Sequence, residues 1–175
     1  MPRVSYVDPQ SASAEVKEIY DSVFKGRPGS FHRLLAHRPA LLKSFVQLFG
    51  TVGRAIDRRL YELLYIRVAM INECQYCMQH HLTASKRTGL TGEDWQGLRD
   101  PENPRFTEAE RSALRFAEKL TRQPKSVSDA DFADMKKFFS DEQIVDIDAT
   151  VALANMTNRM TDALGAELEF AAEKL

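Results

Sequence analysis

The chain has 175 residues, of which 43% are hydrophobic and 28% charged, and it carries a formal net charge of −1. These values fit one globular domain that can bury a core without disulfides or a structural metal. Because the 24 basic and 25 acidic side chains nearly cancel, the composition excludes a protein that binds nucleic acid or an anionic membrane through a basic excess.

Apolar residues recur at helical spacing along the chain without convincing alternating strand patterns, so the sequence predicts an all-α protein. A first helix begins at Ser13 and is broken by residues 25–29, Lys-Gly-Arg-Pro-Gly. A second begins at Pro39, a favoured first-turn residue. The side chains that we expect these two helices to bury are Val16, Ile19, Tyr20, Val23 and Phe24 in the first, and Leu41, Leu42, Phe45, Leu48, Phe49 and Val52 in the second.

Two helices occupy the middle of the chain. The third runs from about Asp57 to Ile71, and Asn72 is predicted to break or cap it. The fourth runs from about Glu73 to Thr88 and is closed by Gly89. The third and fourth helices therefore meet at a short connection around residue 72.

Four later helix starts share one local signal, a Ser or Thr followed three residues on by Asp, Glu or Gln, and the pair Thr107 and Glu110 is a capping box. The four pairs are Thr91 with Asp94, Thr107 with Glu110, Ser128 with Asp131, and Ser140 with Gln143. We expect Phe132, Met135 and Phe139 to be buried, and the last major helix to stop at Gly165. Seven or eight helices with short connections predict a single all-α domain over 1–175, with 1–12 as an N-terminal arm.

The chain shows no targeting or membrane signal. The most apolar stretch, residues 63–71, is interrupted by Arg67 and is far shorter than the roughly 20 apolar residues of a membrane span. The N-terminus lacks the apolar core of a signal peptide. We therefore expect a cytoplasmic protein. In that reducing compartment, two cysteines in one Cys-x-x-Cys indicate redox chemistry or part of a metal site rather than a disulfide scaffold.

Cys74, Cys77 and His81 form the motif Cys-x-x-Cys-x-x-x-His. At about 100° per residue, the three side chains fall within about 60° of one helix face. If the chain breaks at Asn72, the cysteines lie in the first turn, where free N–H groups and the helix dipole favour the thiolate. The neighbouring carboxylate of Glu73 acts in the opposite sense. His81 can stabilise a thiolate or shuttle its proton.

Glu62 lies on the preceding helix in an apolar stretch. Twelve residues separate it from Cys74, an offset of about 120° within one continuous helix, so a shared site requires the break at Asn72. If it faces the cysteines, Glu62 can orient His81 or relay a proton, as the third member of a triad does. The alternative for an isolated Glu is a solvated helix carboxylate.

The cysteines and histidines are also compatible with different roles. Buried thiols can pack as small apolar side chains. The cysteines and His81 can bind zinc, although no fourth ligand lies nearby and no other cysteine exists. Covalent haem attachment needs a His directly after the second Cys, where Met78 stands. We expect His32 and His37 to be ordinary helix-end groups, and the protein to hold neither metal nor cofactor.

The motif residues resemble one family. A Glu twelve positions before Cys-x-x-Cys-x-x-x-His, followed by a Gly that closes the helix, is present as Glu62, Cys74, Cys77, His81 and Gly89. This pattern resembles the alkyl hydroperoxidase D-like proteins of the carboxymuconolactone decarboxylase superfamily. Residues 2–8, 37–42 and 158–165 are also similar to this family, so the resemblance spans most of the chain.

The resemblance implies a thiol peroxidase-type oxidoreductase on an all-α fold that assembles into homotrimers or homohexamers. Cys77 would be the attacking thiolate that reduces a small hydroperoxide, and Cys74 would resolve the resulting sulfenic acid to a disulfide. Glu62 and His81 would carry the proton relay. An external dithiol or protein thiol reductant would restore the thiols, and neither nucleic acid nor membrane would be a partner.

The sequence departs from the family pattern at Tyr76, where the better-studied hydroperoxidases have a second His. This departure weakens the inference of full peroxidase efficiency. His80 is the other candidate for the second His, but it lies about 100° around the helix from the line of Cys77 and His81. One alternative is a lactone enzyme of the carboxymuconolactone decarboxylase type, a branch in which the cysteine pair is not expected. Another is a non-catalytic oligomeric stress-response module that retains the motif.

Overall fold

The computed structural model describes residues 1–173. Within them the chain forms nine α-helices, two short 3-10 helices and no strand, which confirms the predicted all-α domain. The helices are α1 Ala14–Phe24, α2 Ser30–Leu35, α3 Pro39–Val52, α4 Arg58–Ile71, α5 Gln75–Ser85, α6 Gly92–Gly97, α7 Glu108–Arg122, α8 Asp129–Met135 and α9 Asp141–Leu164, with 3-10 turns at Lys86–Thr88 and Pro124–Ser126.

Local signals set most helix ends. All four predicted helix starts are confirmed, and α6, α7, α8 and α9 each begin with a capping box, of which the one at Thr107 and Glu110 is predicted as such. Ser13 caps α1 by accepting from the Val16 N–H, and Asp57 caps α4 in the same way. Gly165 ends α9 at φ +69°, a left-handed conformation that glycine adopts without strain. These predictions are confirmed because each depends on contacts within one turn of helix.

The core lies around α4, which packs against α5, α7 and α9. Every residue of α4 from Leu60 to Ala69 is buried, including two charged side chains. One of them, Arg67, donates to the carbonyls of Leu98 and Arg99 and pairs with Glu118 at 2.6 Å, so its charge has partners inside the fold. A helix covered on all sides can hold a carboxylate at position 62 away from water.

The sequence signals do not predict helix α2, which lies between the break at residues 25–29 and Pro39. A six-residue helix is too short to display helical periodicity. Its stability comes from the burial of Phe31, Leu34 and Leu35 against the rest of the bundle. This helix brings His32 to the interior.

The predicted burial is wrong at four apolar positions. Val23, Leu41, Leu48 and Phe132 are 47%, 42%, 48% and 38% exposed, and Phe24, Phe49 and Phe139 are half-buried. Helices α1, α3 and α8 pack against their neighbours less extensively than α4 does. Periodicity locates the apolar face of a helix but not how much of that face its neighbours cover.

The fourth predicted helix starts two residues too early. Glu73 adopts a left-handed conformation at φ +57°, and α5 begins at Gln75 with Cys74 as its N-cap residue. The α-helix ends at Ser85, and a 3-10 turn continues to Gly89 at φ +80°. The predicted break at Asn72 is confirmed, since this residue is the C-cap of α4.

Residues 1–12 contain no helix and lie against the ends of α9 and α2. The Arg3 N–H donates to the carbonyl of Leu164, and the Arg3 guanidinium donates to the carbonyls of Asp162 and Ala163 at 2.7 and 2.8 Å. These contacts satisfy acceptors at the C-terminus of α9 that have no partner within the helix. In the described part of the chain, no helix combines the length and apolarity needed to cross a membrane.

Candidate active site

The sharp connection between α4 and α5 brings Glu62 and His81 into contact. The two helices pack against each other after the left-handed residue Glu73, and Glu62 Oε2 lies 2.7 Å from His81 Nδ1. The Arg58 guanidinium, one turn before Glu62, lies 2.6 Å from the other carboxylate oxygen. Since the carboxylate accepts, Nδ1 of His81 donates to it and Nε2 is left as the basic nitrogen.

The two cysteines are reduced and buried side by side at the start of α5. The Cys77 N–H donates to Cys74 Sγ at 3.4 Å, so the Cys74 sulfur caps the helix. Both sulfurs contact the Thr161 hydroxyl of α9, at 3.2 and 3.3 Å. The neighbouring helix therefore holds both reactive atoms at one point.

Hydrogen bonding makes the two thiols different. A hydrogen bond from the Cys74 thiol lowers the pKa of Cys77, and this effect outweighs the burial that raises it. Hydrogen bonds from three side chains of α9, those of Thr161, Asn158 and Thr157, lower the pKa further. The same thiol–thiol hydrogen bond, together with burial, raises the pKa of Cys74. Cys77 is therefore the thiol of the pair that ionises first.

Cys77 and His81 line a cavity of about 100 Å³, which we call the inner cavity. Of the two cysteines, Cys74 is 0% exposed and Cys77 5% exposed, and Cys77 is the one in the cavity wall. The Tyr65 ring stacks on His81 with centroids 4.0 Å apart. The inner cavity is lined by Phe31, His32, Phe45, Phe49, Tyr65, Tyr76, Cys77, His80, His81, Thr157 and Thr161.

His32 is a site residue that the sequence did not indicate. Helix α2 places it in the cavity wall, whereas His37 lies at the surface with Nε2 2.7 Å from the Ser5 carbonyl. His32 Nδ1 is buried without a hydrogen-bond partner among residues 1–173. Burial, followed by the charge of His80, lowers the pKa of His32 to about 4, against the opposing effect of Glu169. The imidazole is therefore neutral near pH 7.

The C-terminal segment, residues 166–173, supplies a second unexpected site residue. The Glu169 carboxylate accepts from the Ser30 N–H and from the Tyr76 hydroxyl at 3.1 Å, and His80 Nε2 lies 3.0 Å from it. Although burial opposes ionisation, the hydrogen bonds from His80 and Ser30 lower the pKa of Glu169 to about 2. Glu169 thus ties α2 and α5 together at the cavity.

Tyr76 occupies a structural position at the site. Its hydroxyl donates to Glu169 and accepts from the Phe31 N–H at 3.2 Å, and burial raises its pKa. His80 reaches the inner cavity despite its helical offset, with its ring 4.4 Å from that of Tyr76. Residues 1–173 contain no group of three or more His, Cys, Asp or Glu side chains arranged to hold a metal ion.

Sequence comparisons place the chain among related proteins. The model of the carboxymuconolactone decarboxylase family matches residues 39–119, a span that includes Glu62 and the motif from Cys74 to His81. The uncharacterised protein YdfG of Bacillus subtilis strain 168 is 29% identical over 117 residues, which are 66% of this chain and 80% of that protein.

Solved structures share the fold. A protein of unknown function from Agrobacterium tumefaciens is 25% identical, with a TM-score of 0.73 over 78% of this chain and 96% of its own. A peroxidase-related protein with an alkylhydroperoxidase core, from Ralstonia eutropha JMP134, has a TM-score of 0.83 at 20% identity and covers 96% and 92% of the two chains. The debrominase Bmp8 in complex with 2,3,4-tribromopyrrole has a TM-score of 0.80 at 20% identity, covering 97% and 94%.

Proposed function

We propose that the chain is an alkyl hydroperoxidase D-like member of the carboxymuconolactone decarboxylase superfamily, to whose proteins it is similar in sequence over residues 39–119 and in fold, and that it is a thiol-dependent peroxidase-type oxidoreductase. One observation carries the proposal: Cys77, whose pKa is lowered, lines a cavity, while Cys74 lies directly behind it. A thiol with this combination is a nucleophile with a resolving partner already in place.

The first step is attack of the Cys77 thiolate on the terminal oxygen of a hydroperoxide. The O–O bond breaks, Cys77 becomes a sulfenic acid, and the alkoxide leaves as an alcohol once it takes a proton. His81, in the cavity wall, first accepts the proton of Cys77, and Glu62 stabilises the imidazolium that forms. The imidazolium then gives this proton to the alkoxide.

The second step closes the disulfide. The Cys74 sulfur attacks the sulfenic sulfur of Cys77, the S–O bond breaks, and water leaves with the Cys74 proton. An external dithiol or protein thiol then reduces the disulfide by thiol exchange and is itself oxidised. The sum is one hydroperoxide and two reducing equivalents to one alcohol and one water, with the enzyme unchanged.

Two observations weigh against the alternatives. Lactone decarboxylation does not require two adjacent thiols, one with a lowered and one with a raised pKa. A peroxidase uses the first thiol to attack the peroxide and the second to form the disulfide. A module without catalysis has no use for a buried carboxylate that orients the imidazole beside the thiol. Burying Glu62 costs free energy that its pairs with Arg58 and His81 offset.

The test is a thiol titration of reduced protein before and after a stoichiometric pulse of cumene hydroperoxide, timed against free dithiothreitol. We expect both thiols of each chain to disappear well ahead of the control. If both thiols disappear no faster than those of free dithiothreitol, the peroxidase proposal is wrong, and lactone decarboxylation and zinc content become the next measurements.

Single substitutions separate the roles of the two sulfurs. We expect Cys77→Ser to abolish thiol oxidation, because the remaining thiol is 0% exposed behind the cavity and this burial opposes its ionisation. Cys74→Ser should still react once and stop at a sulfenic acid, which a dimedone adduct detects by mass spectrometry. A Cys77 variant with the wild-type rate beside an inactive Cys74 variant would reverse the assignment.

A further inference from the structure

A second cavity, of about 340 Å³, lies against the inner one, and we call it the outer cavity. The two share three wall side chains, His32, Phe45 and Phe49. The remaining wall comes from α1, α3 and the turn that follows α3, and consists of Val23, Phe24, Val46, Gly50 and Arg54. The outer cavity is therefore apolar along its length and has one cation in its wall.

The inner cavity is too small to hold an organic substrate by itself. A cavity of about 150 Å³ holds one benzene molecule, and ligand sites are commonly about 300–1,000 Å³. The inner cavity of about 100 Å³ has room for a peroxide group but not for the body that carries it. The outer cavity, with about 340 Å³, reaches the size of a ligand site.

Aromatic rings form the wall between the cavities. The ring centroid of Phe45 lies 6.2 Å from that of His32 and 5.6 Å from that of Phe49. On the outer side, the ring centroids of Phe24 and His32 are 4.2 Å apart. Phe49 is half-buried, so a change of its rotamer needs little rearrangement of the core. With Phe49 in another rotamer, an apolar chain can pass from one cavity to the other while the neutral His32 remains beside the reacting group.

Arg54 gives the outer cavity its charge. The absence of a side chain at Gly50 lets the guanidinium lie over the last turn of α3, with Nη1 3.2 Å from the point that a Cβ would occupy. Arg54 is exposed and makes no ion pair within residues 1–173. A guanidinium in this state is suited to bind a carboxylate through two parallel hydrogen bonds.

We propose that the two cavities form one substrate site, and that its substrate is the hydroperoxide of an apolar organic acid. The peroxide group lies at Cys77, the apolar body passes the shared wall into the outer cavity, and the carboxylate binds Arg54. This inference rests on the proposed peroxidase function. The chemistry is the same: the hydroperoxy acid becomes the hydroxy acid and water, two thiols become a disulfide, and the carboxylate is unchanged.

Kinetics with matched substrates test the proposal. We expect kcat/KM for a medium-chain hydroperoxy fatty acid to exceed that for its methyl ester by about fivefold, the effect of one solvent-exposed ion pair. Arg54→Gln should remove this preference through KM. Arg87→Gln is the matched control, because Arg87 is exposed and lies outside both cavities, and it should keep the preference. Equal values for acid and ester with the wild type would overturn the inference.

A binding measurement separates this inference from the peroxidase function. Calorimetry of reduced wild-type protein with a medium-chain fatty acid that carries no peroxide should detect binding that Arg54→Gln weakens about fivefold. Thiols that react with cumene hydroperoxide, in a protein that does not bind the fatty acid, would overturn the substrate class and leave the peroxidase function standing. Fatty-acid binding without thiol oxidation would overturn the peroxidase function instead.

Discussion

The pKa of the Cys77 thiol is lowered by two contacts, one local and one distant in sequence. The Cys74 thiol is three residues away and donates the hydrogen bond that lowers the pKa of Cys77. The Thr161 hydroxyl comes from a helix 84 residues later and contacts the same sulfur at 3.3 Å. The pair is symmetrical in sequence but not in structure, because burial and hydrogen bonding assign the lower pKa to one sulfur.

Glu62→Gln tests the proposed proton relay at the scale of one residue. The amide can still accept from His81, but it loses the charge that stabilises a protonated imidazole and pairs with Arg58. Since general acid–base catalysis typically contributes about 10²–10⁴-fold, we expect thiol oxidation by cumene hydroperoxide to slow about 10- to 100-fold in stopped-flow measurements.

The matched control for this variant is Glu110→Gln. Glu110 also pairs with an arginine of α4, at 2.8 Å from Arg59, but it lies outside the wall of the inner cavity. We expect wild-type kinetics for this variant and far-ultraviolet circular dichroism spectra that match for all three proteins. Unchanged kinetics for Glu62→Gln would return Glu62 to a structural role.

At the scale of elements, two short segments complete the site. Helix α2 brings Phe31 and His32, and the segment of residues 166–173 brings Glu169. The same segment is held again by Glu173, whose N–H donates to Gln79 Oε1 of α5 at 2.5 Å and whose carboxylate pairs at 2.6 Å with Lys86 in the 3-10 turn after α5. The C-terminal segment is therefore fixed to α5 and the turn after it by two of its residues, Glu169 and Glu173.

The docking of the C-terminal segment should depend on pH. The folded pKa of Glu169 is about 2, below the usual value of 4.5, so the carboxylate contributes stability above about pH 4.5 that is lost as pH falls toward 2. We expect hydrogen exchange in residues 166–173 to increase, relative to the intrinsic rate, over this pH window. A protection factor constant between pH 5 and about pH 2.5 would contradict the prediction.

Glu169→Gln should reproduce the acid effect at neutral pH, because an amide cannot accept as the carboxylate does from the Ser30 N–H, Tyr76 and His80 together. Glu167→Gln serves as the control. Glu167 belongs to the same segment but pairs with the N-terminal ammonium at 2.9 Å, away from the cavity. Protection of residues 166–173 should fall in the first variant and persist in the second.

At the scale of the whole molecule, the bundle leaves apolar side chains uncovered. Leu41 and Leu48 lie two turns apart on one face of α3 and are 42% and 48% exposed, and Val145 on α9 is 67% exposed. Exposed apolar patches on a folded domain commonly mark interfaces between proteins. We therefore retain the prediction of a homotrimer or homohexamer and expect α3 to contribute to its interface.

The assembly prediction is tested by light scattering coupled to size-exclusion chromatography. We expect a trimeric or hexameric mass for the wild type and a lower mass for the double variant Leu41→Glu, Leu48→Glu, since paired carboxylates at an apolar contact cost desolvation free energy. Thr83→Glu, at an exposed position of α5, is the control for added charge. A wild-type monomer would show the prediction to be wrong.

Much of the fold follows from the sequence because its signals are local. The capping pairs, the N-cap residues Ser13 and Asp57 and the terminating Gly165 act within one helical turn, so the residues themselves set most helix bounds. The break at Asn72 follows in the same way, and with it the requirement that Glu62 must come from a separate helix to reach His81.

Tertiary structure alone decided which thiol ionises first, what lines the cavities and which apolar faces remain uncovered. Glu169 and His32 reach the site from segments with no periodic or motif signal, and the signals that predict the helix of Thr161 do not indicate its contact with the sulfurs. Val23 and Leu41 are exposed on faces that periodicity marks as apolar. The physical reason is range: a cap is satisfied by neighbours in sequence, whereas burial and the ionisation of a thiol depend on groups that only the packed bundle brings together.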